Sequence, residues 1–153
     1  MKYLGIWYKK IPVQTVVWVA NRDSPLSDSF GSLKIGEAGN VILFDGLQKA
    51  IWSTAALSKL SNPVAQLLDK GNFVRRNSDN VSESYIWESF NCPCDTLLPG
   101  MKLGWNLKAG FESDLTSWKS SDDPSSGDYA FKLDIGGSPE IFLQEWSMDS
   151  IQW

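Results

Sequence analysis

The sequence predicts an all-β fold built from repeated units. Tryptophan recurs at Trp18, Trp52 and Trp87, in short apolar segments separated by 34 and 35 residues. A repeat of this length indicates supersecondary units that are too small to bury their own apolar faces, so neighbouring units share one core. No segment shows a sustained helical period of apolar residues. Each unit is therefore predicted to donate one indole to a shared core.

The segments between the indoles are predicted as short strands and turns. Residues 13–19 form a β-branched run that ends at the polar turn 21–25. Two later copies share the order strand, turn with Gly-Asn, strand, loop and Trp strand. Their strands are predicted at 32–35, 41–44 and 50–53, and then at 65–68, 72–75 and 85–87. The first copy is truncated, with residues 4–8 in the place of the Gly-Asn strand.

The texture changes after residue 90, where a division between two domains, 1–90 and 91–153, is predicted. Turn-forming residues occupy 91–96 and 98–100, and strands are predicted again at 101–105, 115–118, 128–133 and 140–143. A hairpin loop is expected at 106–110 and a long polar loop at 120–127. Trp118 and Trp153 continue the interval after 31 and 35 residues. We interpret them as part of a second, incomplete copy of the same plan.

Charge and residue content exclude several classes of function. The 153-residue chain has a net charge of −4, and no run of Lys or Arg exceeds two residues, so a nucleic-acid partner is not expected. There is no histidine, which removes the usual general base, the His-containing nucleophile pairs and most zinc sites. The sequence predicts no metal site, no cofactor and no enzyme activity.

The two cysteines, Cys92 and Cys94, are one residue apart. A disulfide between them would be strained, because alternate residues of an extended segment point to opposite faces. Two free or partly buried thiols are the simpler interpretation, with a disulfide to a segment outside this chain as the alternative. No apolar stretch is long enough for a transmembrane helix, and residues 3–8 look like a strand rather than a signal peptide. This segment itself is therefore not expected to contact a membrane, and the chain looks clipped at both ends.

Several motifs resemble the plant S-domain ectodomains, the S-locus glycoproteins and the G-type lectin S-receptor-like serine/threonine kinases. They are YLGIWY at 3–8, VWVANR at 17–22, WESF at 87–90, DTLLPGMKLG at 95–104, LTSWKS at 115–120 and GDY at 127–129. The resemblance covers essentially the whole chain. In these relatives the segment at 92–94 is usually Tyr-Pro-Thr, so both cysteines depart from the pattern.

The resemblance implies a fold and a setting. Residues 1–90 resemble a bulb-type lectin domain, a β-prism of three four-stranded sheets, without its first strand. Residues 91–153 resemble the start of the S-locus glycoprotein region, a partial second lectin-like β domain. Such receptors act in recognition of pollen, defence or stress signalling. The implied location is secreted or on the extracellular side of the plasma membrane. The implied partner is a protein, peptide or glycan ligand, and dimerisation of the receptor is a second possible interaction.

Bulb-type lectins bind mannose through the pattern Gln-x-Asp-x-Asn-x-Val-x-Tyr, and this chain has lost much of it. In the copy at 36–44 the Gln and Asp positions hold Gly36 and Ala38, while Asn40, Ile42 and Phe44 occupy the last three. In the copy at 68–76, Asn72 and Val74 match, and Leu68, Lys70 and Arg76 do not. The first unit shows no trace of the pattern.

Loss of three polar contacts at about 1 kcal/mol each weakens a monosaccharide site roughly a hundredfold or more. High-affinity mannose binding is therefore not expected. Asn40 and Asn72 have two interpretations, a turn that leads into a strand or a residual sugar contact.

Three hypotheses for function follow. The first is a non-catalytic recognition module, and the second is a functional mannose-binding lectin. The third, a glycosidase, would need a carboxylate pair such as Asp122 with Asp123, Glu88 with Asp95, or Glu140 with Glu145. Charges in polar loops are ordinarily just solvated, and the kinase motifs of the parent family are absent from this chain. The polar loop at 76–84 holds a glycosylation candidate, Asn80 in Asn-Val-Ser.

Overall fold

The computed structural model describes residues 1–54, 59–79, 84–107 and 110–145. Over these residues the chain forms strands and one short 3-10 helix, so the all-β expectation is confirmed. The strands are β1 (Gly5–Trp7), β2 (Val16–Val19), β3 (Ser32–Ile35), β4 (Val41–Phe44), β5 (Ala50–Ser53), β6 (Pro63–Leu67), β7 (Phe73–Asn77), β8 (Trp87–Glu88), β9 (Gly104–Asn106), β10 (Phe111–Ser113), β11 (Leu115–Ser120), β12 (Asp123–Asp134) and β13 (Glu140–Glu145). The 3-10 helix η1 (Ser89–Asn91) follows β8 directly.

The first eight strands form three antiparallel sheets, ordered β1-β2, β3-β4-β5 and β6-β7-β8. Each sheet ends on a strand that carries one indole of the repeat, as the bulb-lectin β-prism requires. The sheets have two, three and three strands among the described residues, fewer than the four that the family resemblance implies. β8 is short because the chain turns into η1 at Ser89.

The three indoles pack against one another on the inner side of these sheets. Ring centroids lie 6.0 Å apart for Trp18 and Trp52, 6.1 Å for Trp18 and Trp87, and 5.8 Å for Trp52 and Trp87. All three contacts are edge-to-face, the geometry that the ring quadrupole favours and that contributes about 0.5–1.5 kcal/mol per pair beyond burial. Trp18 is 4% exposed and also donates from Nε1 to the Cys92 carbonyl at 2.9 Å. A single cluster of indoles is therefore the shared core of all three units.

Residues on both sides of position 90 contribute to this core. Cys94 packs beside Trp18, and Leu98 packs with Val17 and Phe90. Trp118, from β11, also packs against the cluster that contains Trp18. The division into 1–90 and 91–153 stays a prediction, and these contacts show that the two parts share apolar packing.

Arg22 ties the first unit to the hairpin formed by β11 and β12. Its guanidinium donates to three backbone carbonyls, those of Pro124 at 2.9 Å, Ser117 at 2.8 Å and Thr116 at 3.2 Å. The neighbouring Asp23 accepts from the backbone and side chain of Ser126. Charged donors make strong hydrogen bonds to carbonyls, so this contact fixes the hairpin against the prism.

Several sequence predictions of local structure differ from the structure. The strand predicted at 101–105 begins only at Gly104. The polar segment predicted as a loop at 120–127 mostly belongs to β12, which begins at Asp123. The pairing of β11 with β12 has irregularities after Thr116 and after Trp118, and such bulges accommodate a residue like Pro124 that cannot donate to a ladder. The third indole strand begins at Trp87, not at residue 85.

Two further expectations concern a membrane-spanning helix and the residues near the glycosylation candidate and Trp153. Within the described ranges no helix is long and apolar enough to cross a bilayer. The glycosylation candidate Asn80 lies outside the described residues, as does Trp153.

The indole cluster leads to a prediction about stability. Trp18→Ala should lower the free energy of unfolding by about 3–5 kcal/mol, because it removes three ring contacts, to Trp52, Phe73 and Trp87, and leaves a cavity that the sheets cannot close. Urea denaturation followed by circular dichroism measures the change. Trp105→Ala, at an indole that is 46% exposed, is the control and should cost about 1 kcal/mol or less. Equal losses for both variants would contradict a core role for the cluster.

The thiols lead to a second prediction. Both cysteines are free, Cys92 exposed and Cys94 buried, and Cys94 Sγ exchanges hydrogen bonds with the backbone N–H and carbonyl of Val19 at 3.3 and 3.5 Å. Desolvation raises the pKa of both thiols, so the reactive thiolate fraction at a given pH is smaller than for a cysteine fully exposed to solvent. An aromatic disulfide reagent should label Cys92 slowly, at a rate that rises with pH, and should reach Cys94 only after unfolding.

The control variant is Cys94→Thr, whose hydroxyl can make the same two bonds to Val19. It should keep the stability of the parent and leave one slow thiol. Labelling of both thiols at one rate in the folded protein would show that the Cys94 packing is not as described.

Candidate ligand-binding site

The three units correspond residue by residue through their pairing with the indole strands. Trp18 pairs with Ile6, Trp52 with Leu43 and Trp87 with Arg75. Three structurally equivalent sets, on β1, β4 and β7 and just before each of these strands, follow from these registers. They are Tyr3 with Asn40 and Asn72, Gly5 with Ile42 and Val74, and Trp7 with Phe44 and Arg76. The last three positions of the mannose pattern therefore coincide across the units.

On β4 the pattern positions face outward but offer few polar groups. Val41 and Leu43 are buried, while Ile42 and Phe44 are only partly buried, which is the alternation expected of a strand with one inner face. The Lys34 ammonium lies 5.4 Å from the centroid of the Phe44 ring, where a cation interacts favourably with the ring face. This ring has no hydroxyl to close a sugar site.

Asn40 occupies the end of the turn that leads into β4. Its carbonyl accepts from Gly36 N–H at 2.8 Å, and Gly39 adopts a φ of +79° in the same turn. Asn40 Oδ1 is buried and has no hydrogen-bond partner among the described residues. The turn explains the backbone of Asn40, and a residual sugar contact through its side chain stays a prediction, as it does for Ile42 and Phe44.

On β7 the two matching residues serve the interior of the protein. Asn72 is 5% exposed; its Nδ2 donates to Glu88 at 2.8 Å, and its Oδ1 accepts from the Ser89 hydroxyl and from Phe90 N–H. Val74 is 0% exposed. A sugar contact through Asn72 or Val74 would need side-chain atoms that are exposed to solvent, and both side chains are buried. Asn72 instead fastens η1 to β7, which the sequence did not indicate.

Arg75 is a further residue that the sequence reasoning missed. It is 1% exposed and reaches from β7 to the turn before β4, where Nε donates to the Gly39 carbonyl at 2.6 Å and Nη2 to the Ala38 carbonyl at 3.1 Å. Burial lowers the pKa of its guanidinium below the ordinary value for arginine. The equivalent positions in the other units hold Ile6 and Leu43, which are apolar and face the core. An arginine at such a position is the one signal in the sequence that could have revealed it.

The carboxylate pairs considered for catalysis act as hydrogen-bond acceptors. Glu88 binds the side chains of Asn72 and Asn91. The Ser125 hydroxyl and N–H donate to Asp123 and hold its pKa below the ordinary range, so this group stays ionised and is a poor general acid. Glu140 and Glu145 lie at opposite ends of β13, about 17 Å apart along an extended strand, well beyond glycosidase spacing. Over the described ranges no group of three metal-ligating side chains could hold a metal ion.

A groove of about 990 Å³ lies away from the mannose positions of β4. One wall is residues 6–10, at the end of β1, and the other is residues 67–71, at the turn between β6 and β7. Val17 and residues 98–100 complete the lining. We call this cavity the basic groove, because Lys9, Lys10 and Lys70 line it.

The fold and the site together define a β-prism lectin domain whose mannose-pattern residues are largely replaced or turned to structural use. Residues 15–119 match the sequence profile of the D-mannose binding lectin family. The chain therefore belongs to this family.

Plant receptor and glycoprotein sequences are similar to this chain over most of its length. It is 54% identical over 151 residues to the receptor-like serine/threonine-protein kinase SD1-8 of Arabidopsis thaliana, covering 97% of this chain and 17% of that protein. It is 53% identical over 144 residues to the S-locus-specific glycoprotein S6 of Brassica oleracea, covering 92% and 33%. The G-type lectin S-receptor-like serine/threonine-protein kinase SRK of Arabidopsis thaliana is 54% identical over 142 residues, covering 92% and 16%.

The chain thus spans between about a sixth and a third of the length of these relatives. The resemblance noted from the sequence motifs is confirmed. The matched part is the lectin region, and the kinase domain of the relatives lies outside this chain.

Arg75 leads to a testable expectation. Arg75→Met should destabilise the protein by about 3 kcal/mol, because it removes the charged donor of the buried Gly39 carbonyl and leaves the Ala38 carbonyl with the Leu60 N–H alone. Arg76→Met is a matched control with the same change in charge, and it should cost about 1 kcal/mol or less, since Arg76 is only partly buried and its Nη2 bonds to the exposed side chain of Gln66. Chemical denaturation of both variants measures the difference, and similar losses would rule out the clamp.

Proposed function

We propose that this chain is a non-catalytic recognition module of the S-domain receptor type, which binds a protein, peptide or glycan ligand on the extracellular side of the plasma membrane or as a secreted protein. The names of the relatives, a receptor kinase and an S-locus-specific glycoprotein, support the setting. Recognition of pollen or of a defence signal is the kind of process that such a module serves.

One observation carries the proposal, the use of the mannose-pattern residues of β7 inside the protein. Both polar atoms of the Asn72 amide are hydrogen-bonded, to Glu88, Ser89 and Phe90, and Val74 is fully buried. A polar site discriminates among sugars only when its hydrogen-bonding groups are available to the ligand. These contacts support a lectin scaffold in which Asn72 and Val74 are engaged inside the protein.

A functional mannose-binding lectin is the second candidate, favoured by the family to which the chain belongs. It would have to act through β4, where Asn40 Oδ1 is buried without a partner and Phe44 lies on the outward face. Fold alone does not establish sugar binding, because one scaffold supports many functions.

Chromatography on immobilised mannose separates the two candidates. We expect the protein to pass at neutral pH without retention, because three of the five pattern positions at 36–44 lack the polar groups of the pattern. Retention that free mannose reverses and that Asn40→Ala abolishes would favour the lectin and overturn the proposal. Asn77→Ala, at a partly exposed amide on a strand away from β4, is the control for non-specific changes.

A further inference from the structure

The turn at residues 98–101 is closed by two hydrogen bonds, and one of them uses a sulfur atom. Met101 N–H donates to the Leu98 carbonyl at 3.0 Å, and Met101 Sδ accepts from Leu98 N–H at 3.2 Å. Pro99 and Gly100 occupy the two central positions, and Gly100 has a φ of +99°, the positive value that a type II turn requires there. We call residues 98–101 the thioether turn.

The thioether turn belongs to the apolar contact between the prism and the segment after residue 90. Leu98 is 5% exposed and packs with Val17 of β2 and Phe90 of η1, and Met101 packs against the same cluster. Leu98 also approaches the turn between β6 and β7, where a Cβ added at Gly71 would lie 3.1 Å from its Cδ1 atom. The thioether turn therefore holds this segment against the first and the third sheets.

The Leu98 N–H depends on the sulfur for its hydrogen bond. Within the ranges that the structure describes, Met101 Sδ is the one acceptor that this N–H reaches. A thioether sulfur is a weak acceptor, so a small chemical change at the sulfur is enough to remove the bond. A donor that loses its partner away from water carries a desolvation penalty, which favours movement of the turn toward solvent.

Oxidation of the sulfur is such a change. Met101 is partly exposed, so a small oxidant such as hydrogen peroxide can reach its side chain. The peroxide O–O bond breaks and an S–O bond forms, so the thioether is oxidised to a sulfoxide and the peroxide is reduced to water. The new bond uses a lone pair of the sulfur, and the polar product disrupts apolar packing.

We propose that Met101 is an oxidation site, at which a peroxide converts the thioether to the sulfoxide and releases the thioether turn from the apolar cluster. The sulfoxide withdraws the sulfur lone pair from Leu98 N–H and places a polar S–O group beside Val17 and Phe90. Both changes weaken the packing of Leu98. Oxidation thus loosens the contact between the prism and the segment after residue 90, whichever ligand the module binds.

Graded treatment of the full chain with hydrogen peroxide, followed by peptide mapping with mass spectrometry, tests the chemical step. Met1 is 88% exposed and serves as the internal reference, which should be oxidised first. Met101 should follow while circular dichroism still shows a folded protein. Hydrogen exchange then tests the consequence: the Leu98 N–H of the Met101 sulfoxide form should exchange at least about tenfold faster than in the untreated protein, because about one hydrogen bond is lost.

Three variants separate Met101 from the other oxidisable groups. Met101→Leu keeps the apolar volume without a thioether, so peroxide should leave the exchange of its Leu98 N–H unchanged. Met1→Leu is the matched control, because it removes an exposed thioether outside the turn, and it should respond to peroxide as the parent does. Met101→Gln places a polar group in the cluster and should show the faster exchange without peroxide.

A repair experiment distinguishes the sulfoxide from oxidised thiols. Methionine sulfoxide reductases supplied with dithiothreitol should restore slow exchange of Leu98 N–H, whereas dithiothreitol alone, which reduces disulfides, should not.

Three results would overturn the proposal. The first is a Met101 that resists peroxide until the protein unfolds, although Met1 is fully oxidised. The second is a Met101 sulfoxide that leaves the exchange of Leu98 N–H unchanged. The third is an equal response to peroxide in Met101→Leu, which would assign the effect to Cys92 or Cys94.

Discussion

The edge-to-face packing of Trp18, Trp52 and Trp87 is the constraint on which the rest of the structure depends. The three sheets are two or three strands wide and have no separate cores, so each contributes one indole to a shared cluster. The positions of the middle strands follow, because each pairs with an indole strand in a corresponding register. The residue-by-residue correspondence of the three units therefore depends on the packing of the three indoles.

Arg75 and Asn72 show how the same scaffold has changed its use of polar groups. In a sugar site such groups face outward and are satisfied by the ligand. In this chain Asn72 holds η1 against β7, and Arg75 holds the turn before β4, so both satisfy backbone and side-chain partners inside the protein. Buried polar groups that bond to partners inside the protein favour one arrangement of neighbouring elements, and those bonded atoms are then unavailable for recognition.

The sequence by itself determined the all-β class, the tryptophan repeat and the strands β3, β4 and β5 with their residue limits, because strand alternation and Gly-Asn turns are local signals. It also showed that the mannose pattern is incomplete, since those positions can be read from spacing. Only the tertiary structure decided that Asn72 and Val74 face partners rather than solvent, that Arg75 spans two sheets and that β1 borders an open groove. Each of these depends on residues distant in sequence meeting in space, which no local pattern encodes.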